Sequence, residues 1–360
     1  MKRLVCAITV LSLLLLARGA HAGSGASARE EGEGEPVERT AAVAPGAVIG
    51  LCVGTGDVVV RGWDKGEVRA RAHVERLELR TRRPGRAPGR ANVPSAPNFP
   101  GPPNTPGPAS PPGMPNPPSR MNAPNPLPPV DLEVLMSNSA GDEPGGDPCG
   151  VHGDIELDVP RGATVLLRVR EGDADISDVA EVRVESMVGE TDVRGVTRAV
   201  EVESMSGSIF VRDSAGRVRL RTFRGDVEAI NLRAAAAGDQ FQAKCTNGSV
   251  TLEGVRHAHV EAATVSGDVT VTGPLTRGGN YDFQTFNGDV TLMLPAAESF
   301  KLNARVAIGG EITTDFDVKG APGPPPVKEL PQGRLVGTVG GGGAEVNLSS
   351  FNGALRLKKQ

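Results

Sequence analysis

One short pattern recurs along most of the chain and limits what it can fold into. Its clearest copies lie in Val200–Ile230, VEVESMSGSIFVRDSAGRVRLRTFRGDVEAI. Two apolar residues alternate with polar ones; then come a Ser or Thr, a Met or Phe, a spacer, a Gly, and a Val or Ile. The first copy is Val200, Val202, Ser204, Met205, Gly207, Ile209, Val211; the second is Val218, Leu220, Thr222, Phe223, Gly225, Val227, Ala229. Marker glycines continue at Gly153, Gly172, Gly189, Gly248, Gly267, Gly288 and Gly310, with a last copy at Gly353. Most are about 17 to 23 residues apart, the length of one coil in a repeat protein.

Counting backward from each Gly gives the pattern its physical meaning. Five before stand Val184, Val202, Leu220, Ala243, Ala262 and Phe283; three before stand Ser186, Ser204, Thr222, Cys245, Thr264 and Thr285. The residues between them are mostly polar. A period of two means strands with one buried and one wet face. After the Gly the alternation restarts, as in Ile209/Val211 and Val269/Val271. The Gly then marks a corner where φ is positive or a side chain would clash. Two before it stand Met187, Met205, Phe223, Val265 and Phe286. The expectation is that the chain bends there and buries them, giving core ladders of Val, of Ser/Thr and of Met/Phe.

Strand, corner, strand and loop at near-constant length predict an all-β fold: a single-chain β-solenoid, right-handed β-helix-like, of about ten or more short coils. A β-prism or an antiparallel β-sandwich is the alternative. The 47 Gly and 30 Pro, with only 3% aromatics, agree with strands and turns rather than helices.

The remaining segments divide the chain. Lys2 and Arg3 precede an apolar run, and Ala20-His21-Ala22 offers small residues at a cleavage point, so residues 1–22 read as a secretory signal. Residues 23–42 read as a disordered leader, 43–79 as the first coil or coils, and 131–360 as the repeat domain. Between these, 80–130 is Pro-rich and cannot form ladders. It carries Arg80, Arg82, Arg83, Arg86, Arg90 and Arg120 with no acidic residue among them. It reads as a solvated disordered insertion, with a cationic tether for an anionic polymer as the other reading. A smaller Pro-rich insertion covers 320–333. Trp63, the single Trp, reads as a ring covering the open end of the core, with a carbohydrate groove as the alternative.

The series VEVESMSGSIFV, ATVSGDVTVTG and QTFNGDVTLMLP, with GTGDVVVRGWDKGEVRARA near the start and SSFNGALRLKK at the end, resembles a bacterial family of unassigned function. It is known as a candidate adhesin with β-strand repeats, related to toast-rack and autotransporter-adhesin-head modules. The resemblance spans about Val43 to Lys359 apart from the Pro-rich insertions. It implies an exported β-repeat protein with no catalytic residues to carry over.

Residues that carry chemistry are few. His257 and His259 lie two apart, with no third ligand indicated. Asp154, Asp173, Asp226, Asp268 and Asp289 each follow a marker Gly and line one edge, interrupted by Ser208 and Ser249. Calcium at Asp226, Asp268 and Asp289 is the functional reading; solvated corner residues are the preferred one. No cofactor is expected. Signal cleavage leaves Cys52, Cys149 and Cys245. Cys52 and Cys149 both lie four before a Gly, on the outward register of neighbouring coils, and are expected to form a disulfide. Cys245, three before Gly248, falls in the buried Ser/Thr register as a free thiol.

The net charge of −4 becomes −7 when Lys2, Arg3 and Arg18 leave with the signal, which argues against nucleic acid as partner. The expected function is a non-enzymatic exported envelope protein, a scaffold or adhesin-like surface for a polysaccharide or protein, with at most peripheral membrane contact. It is placed in the periplasm, at the cell surface or outside the cell. A polysaccharide lyase or hydrolase on a β-helix, or a calcium-binding solenoid, is the competing class.

Overall fold

A computed structural model describes residues 35–81, 130–137, 149, 152–320 and 329–360, and among them every regular element is a strand. The chain enters through β1 (Val37–Ala42), β2 (Val48–Thr55), β3 (Val58–Trp63), β4 (Glu67–Ala72) and β5 (Arg76–Thr81). β6 (Leu132–Ser137) and β7 (Ile155–Pro160) follow. Then long and short strands alternate as β8 (Thr164–Glu171) and β9 (Ala174–Ser177), β10 (Glu181–Val188) and β11 (Thr191–Arg194), β12 (Ala199–Ser206) and β13 (Ile209–Arg212). The series continues as β14 (Arg217–Arg224) and β15 (Val227–Ile230), β16 (Gln240–Asn247) and β17 (Val250–Glu253). β18 (His259–Ser266) and β19 (Val269–Thr272) precede β20 (Asn280–Asn287) and β21 (Val290–Leu294). The chain closes with β22 (Phe300–Thr314), β23 (Glu329–Val339), β24 (Ala344–Asn352) and β25 (Leu355–Lys359).

Each long strand pairs in parallel with the long strand one coil on, and each short strand with the next short strand. Val202 of β12 lies opposite Leu220 of β14, which lies opposite Ala243 of β16. On the second wall, Val211 lies opposite Ala229 and Ala229 opposite Leu252. These parallel ladders describe a solenoid-like sheet of 25 strands and not an antiparallel sandwich. The space between the walls is filled by the alternating positions, with Val202, Leu220, Ala243, Ala262 and Phe283 fully buried. Stability is then close to a sum over neighbouring coils.

Sequence order and spatial order part company at both ends. β2 pairs with β8 on one side and β6 on the other, so β6 and β7 lie outside the coil that precedes them. At the far end β24 sits between β20 and β22, so the chain runs outward first and returns. Antiparallel strands then close the stack: β4 on β7, β1 on β4, β5 on β6, and β23 on β22. Their outer edges carry Glu38, Arg39 and Arg76, residues that discourage further strand addition.

Three boundaries change. The leader expected to be disordered to residue 42 contains β1, because Val37 and Ala41 pack on the core and Glu38 holds Arg71 at 2.7 Å. β5 extends through Thr81, within the range assigned to the large insertion, and β23 begins at Glu329, within the smaller one. The expected signal over 1–22, residues 82–129 of the large insertion, and residues 321–328 of the smaller one lie outside the described residues.

The Met/Phe ladder expected in the core is on the outside. Met187, Met205, Phe223, Val265 and Phe286 are 42–59% exposed. The inward positions are five and three before Gly, so strict alternation already points the residue two before Gly outward. The corner is completed by the next three residues, and no extra bend turns the row inward.

The corner depends on glycine for two reasons at once. Gly225 has φ +128° and Gly267 has φ +148°, a region L side chains rarely adopt. A Cβ on Gly225 would also lie 2.3 Å from the Gly207 carbonyl oxygen of the preceding coil, and one on Gly267 would lie 2.1 Å from that of Gly248. Glycine therefore stacks directly on glycine.

A disulfide joins Cys52 to Cys149, with Cα atoms 4.9 Å apart across 97 residues. The same offset relates Thr55 to His152 and Val58 to Ile155, so the bond lies in the register of the ladder. It clips the outer coil to β2 across the gap between β6 and β7. A loop of that length carries roughly 4 to 5 kcal/mol of closure entropy in the chain-entropy account.

Gly225→Ala is expected to lower the free energy of unfolding by about 2 kcal/mol or more, from backbone strain and the carbonyl clash together. Gly66, with ordinary φ and open space around its Cβ position, is the control, and Gly66→Ala is expected to be neutral or slightly stabilising. Urea titration of the two variants checks this; equal midpoints would contradict the stacked corner.

Candidate functional site

The edge that carries the marker glycines gathers three parallel rows. One row, immediately after Gly, contains the aspartates singled out from the sequence, and the structure brings them into line. Each uses a carboxylate oxygen to accept the N–H of the equivalent residue on the next coil. Asp154 Oδ1 accepts from Asp57 (2.9 Å), Asp57 from Asp173 (2.9 Å) and Asp173 from Glu190 (2.7 Å). Further along, Asp226 accepts from Ser249 (2.7 Å), Asp268 from Asp289 (2.8 Å) and Asp289 from Ala354 (2.7 Å). Ser208 and Ser249 do the same with their hydroxyls, accepting from Asp226 and Asp268. The row is a side-chain ladder that takes the one N–H of each corner left out of the main-chain bonds, which continue on either side of it, as from Gly225 to Asn247 and from Val227 to Ser249.

Asp289 shows the electrostatic consequence. Partial burial alone would raise its pKa, but the Ala354 N–H and the Arg356 guanidinium outweigh it and hold the carboxyl below its ordinary value. Among the described residues no three His, Cys, Asp or Glu side chains converge as a metal-binding group.

The second row lies inside. Thr222, Thr264, Thr285 and Ser350, each three before Gly, donate their hydroxyls to the Gly carbonyl of the preceding coil at 2.8–3.1 Å. Cys245 takes the same place with its Sγ 3.2 Å from the Gly225 oxygen. Burial pushes its thiol pKa up, so it is free, buried and unreactive. The hydroxyl thus serves the corner carbonyl from Thr222 onward, whereas Ser186 and Ser204 in the same register are buried without a hydrogen-bond partner.

The third row is the exposed apolar one, and the sequence reading placed it wrongly. In spatial order it runs Met187, Met205, Phe223, Thr246, Val265, Phe286 and Phe351, one residue per coil. Phe286 and Phe351 stack with ring centroids 4.5 Å apart and planes 4° from parallel. Arg224 lies over the Phe223 ring. A signal was present: Arg170, two before Gly172, and Thr246, two before Gly248, occupy the same position, and a sealed core would accept neither charge nor a lone hydroxyl lightly.

The outward charges, which look scattered in sequence, pair across coils. Arg168 reaches Glu185 at 2.8 Å, Arg221 reaches Glu203 at 3.6 Å, and Lys244 reaches Glu261 at 2.7 Å. Glu261 also accepts from Gln242 at 2.6 Å, and these partners outweigh burial to hold its pKa low. Beside it burial pushes Asp282 up, and the Glu261 charge adds to that.

His257 and His259 do not form a pair. His257 is fully buried with Nε2 2.8 Å from the Gly216 oxygen, and burial lowers its pKa; His259 is exposed. Trp63 covers no core opening. It lies half-buried at the end of β3, its Nε1–H donating to the Glu67 carbonyl and its ring flanked by Lys65 and Arg69. The open end is closed by β4 and β1 instead.

The repeated Gly corner, with its Ser/Thr and Asp ladders, covers the region that matches the family described as Toastrack DUF4097, residues 150–354. The chain belongs to that family. No curated protein matches it. Among solved structures, the chain is similar to a candidate cell adhesion protein from Clostridium sporogenes ATCC 15579, at 10% identity over 91% of this chain and 100% of the other. The TM-score is 0.23. Coils built from β2, β3 and β6, with the antiparallel strands β1, β4 and β5, precede the toast-rack match.

If the aspartate row is structural, Asp268→Ala is expected to cost about 1 kcal/mol, and Asp268→Asn, which keeps an oxygen acceptor, markedly less. Millimolar calcium is expected to leave the melting temperature of the parent protein unchanged. A calcium-dependent rise that Asp268→Asn abolishes would turn the ladder into a cation site.

Proposed function

We propose that this toast-rack protein is a non-enzymatic, exported envelope component whose rigid walls serve as a scaffold or adhesin-like binding surface. The observation that carries this reading is the engagement of its ionisable groups. The corner carboxylates accept backbone N–H groups, and the outward Arg, Lys and Glu side chains hold one another across coils. An active site needs acids and bases aimed at a substrate, whereas these groups are aimed at neighbouring coils. The stack resists bending because every coil is tied to the next on two walls and at the corner.

Export to the periplasm, cell surface or exterior follows from the leader, and agrees with a disulfide between Cys52 and Cys149. The partner is an envelope polysaccharide or protein; the acidic balance disfavours nucleic acid, and membrane contact is peripheral at most. The competing reading, a polysaccharide lyase or hydrolase, separates cleanly by assay. Uronate polymers and neutral envelope glycans, incubated with and without calcium, are expected to show no chain cleavage. Turnover that survives repurification, and is lost on replacing Glu261 or Asp282, would overturn the scaffold reading.

A further inference from the structure

We propose that the exposed apolar row is an interface between two copies of this chain, packed antiparallel about a two-fold axis through Thr246. The proposal does not rest on the scaffold reading. Every large hydrophobic side chain more than 40% exposed among the described residues lies on this edge: Met187, Val188, Met205, Phe223, Val265, Phe286 and Ile308. With side chains of this size about half exposed, the row presents several hundred Å² of contiguous apolar surface, at or above what soluble monomers ordinarily leave uncovered. With its flanks it approaches the roughly 800 Å² per partner of a standard interface.

The occupant is indicated by the order of residues along the row. Neighbouring coils are about 4.8 Å apart, so the seven positions from Met187 to Phe351 span roughly 29 Å with Thr246 at the centre. A two-fold axis there sets Met187 against Phe351, Met205 against Phe286, Phe223 against Val265, and Thr246 against itself. Both methionines occupy one end and the stacked Phe286/Phe351 pair the other, so each end meets its complement. Thioether–aromatic contacts are favourable, and an isologous interface requires this self-complementarity.

The neighbouring outward row obeys the same operation. Over the seven coils its charges are Glu185, Glu203 and Arg221 in one half and Lys244 at the centre, and the other half is Ala263, Gln284 and Ser349; Arg168 and Arg305 stand one coil beyond either end. Antiparallel pairing sets Glu185 against Ser349, Glu203 against Gln284 and Arg221 against Ala263. Only Lys244 meets its own copy, and its charge is balanced by Glu261 at 2.7 Å. Within the seven coils no uncompensated like charges face each other across the axis, and at the rim Arg168, held by Glu185 at 2.8 Å, comes opposite Arg305.

Cross-linking tests both the contact and its register. In a Cys245→Thr background, which restores the residue type of the flanking coils, Thr246→Cys is expected to form a covalent dimer with itself on mild oxidation. Phe286→Cys alone is expected not to, whereas an equal mixture of Met205→Cys and Phe286→Cys proteins gives the mixed dimer. Sedimentation equilibrium of the full chain is expected to show monomer and dimer, with Met205→Ser/Phe223→Ser weakening association at least tenfold. Circular dichroism of each variant confirms that it is folded. A folded parent that stays monomeric at tens of micromolar would overturn the proposal. So would self-linkage of Phe286→Cys without linkage at Thr246→Cys, or unchanged dimerisation of the double serine variant.

Discussion

The contact on which the structure depends is glycine resting on glycine at the corner between the two walls. There the chain must turn with positive φ while the next coil approaches within reach of a carbonyl oxygen. A backbone this close leaves no room for a Cβ, and between the main-chain bonds made by the Gly and by the residue two after it, one N–H and one carbonyl per corner lack a main-chain partner. Two side-chain ladders make up the difference. Inside, a hydroxyl or thiol three residues before Gly donates to the glycine carbonyl below. Outside, an Asp or Ser just after Gly accepts the amide above. One sequence pattern thus encodes a bend, its tight stacking and the satisfaction of its polar groups.

Much of this was legible because a period of two and a recurring Gly are both local signals. The buried status of Val202, Leu220 and Phe283 follows from alternation alone, and the shared register of Cys52 and Cys149 follows from counting to the nearest Gly. Other features depend on tertiary order. Nothing local says that β6 and β7 lie outside β2 and β3, or that β22 lies outside β24. β1 is not legible locally, because a short charged strand beside a Gly-rich leader resembles linker until β4 is available to pair with it. For the Met/Phe row hydrophobicity and parity give opposite answers, and parity prevails, in keeping with Arg170 and Thr246 at the same position.

The same economy shapes what the surface offers. Carboxylates that look like a cation site are hydrogen-bond acceptors in the sheet, and outward ion pairs of Arg, Lys and Glu are arranged coil to coil. Exposed pairs of this kind contribute little individually to stability. Their value lies in presenting a wall whose charges are already balanced. Against that wall the apolar row stays largely exposed although Phe286 and Phe351 stack across neighbouring coils, and association would cover it.

The corner ladder is the central claim, and amide hydrogen exchange measures it directly. The N–H groups of Ser249 and Asp289 lie at an exposed edge, yet each donates to an aspartate oxygen of the neighbouring coil at 2.7–2.8 Å. At neutral pH they are expected to exchange as slowly as the strand amides of β16 and β20, within about tenfold. Exchange at the rate of an open surface loop, with the strands still protected, would contradict the ladder and the account of how the coils are held together.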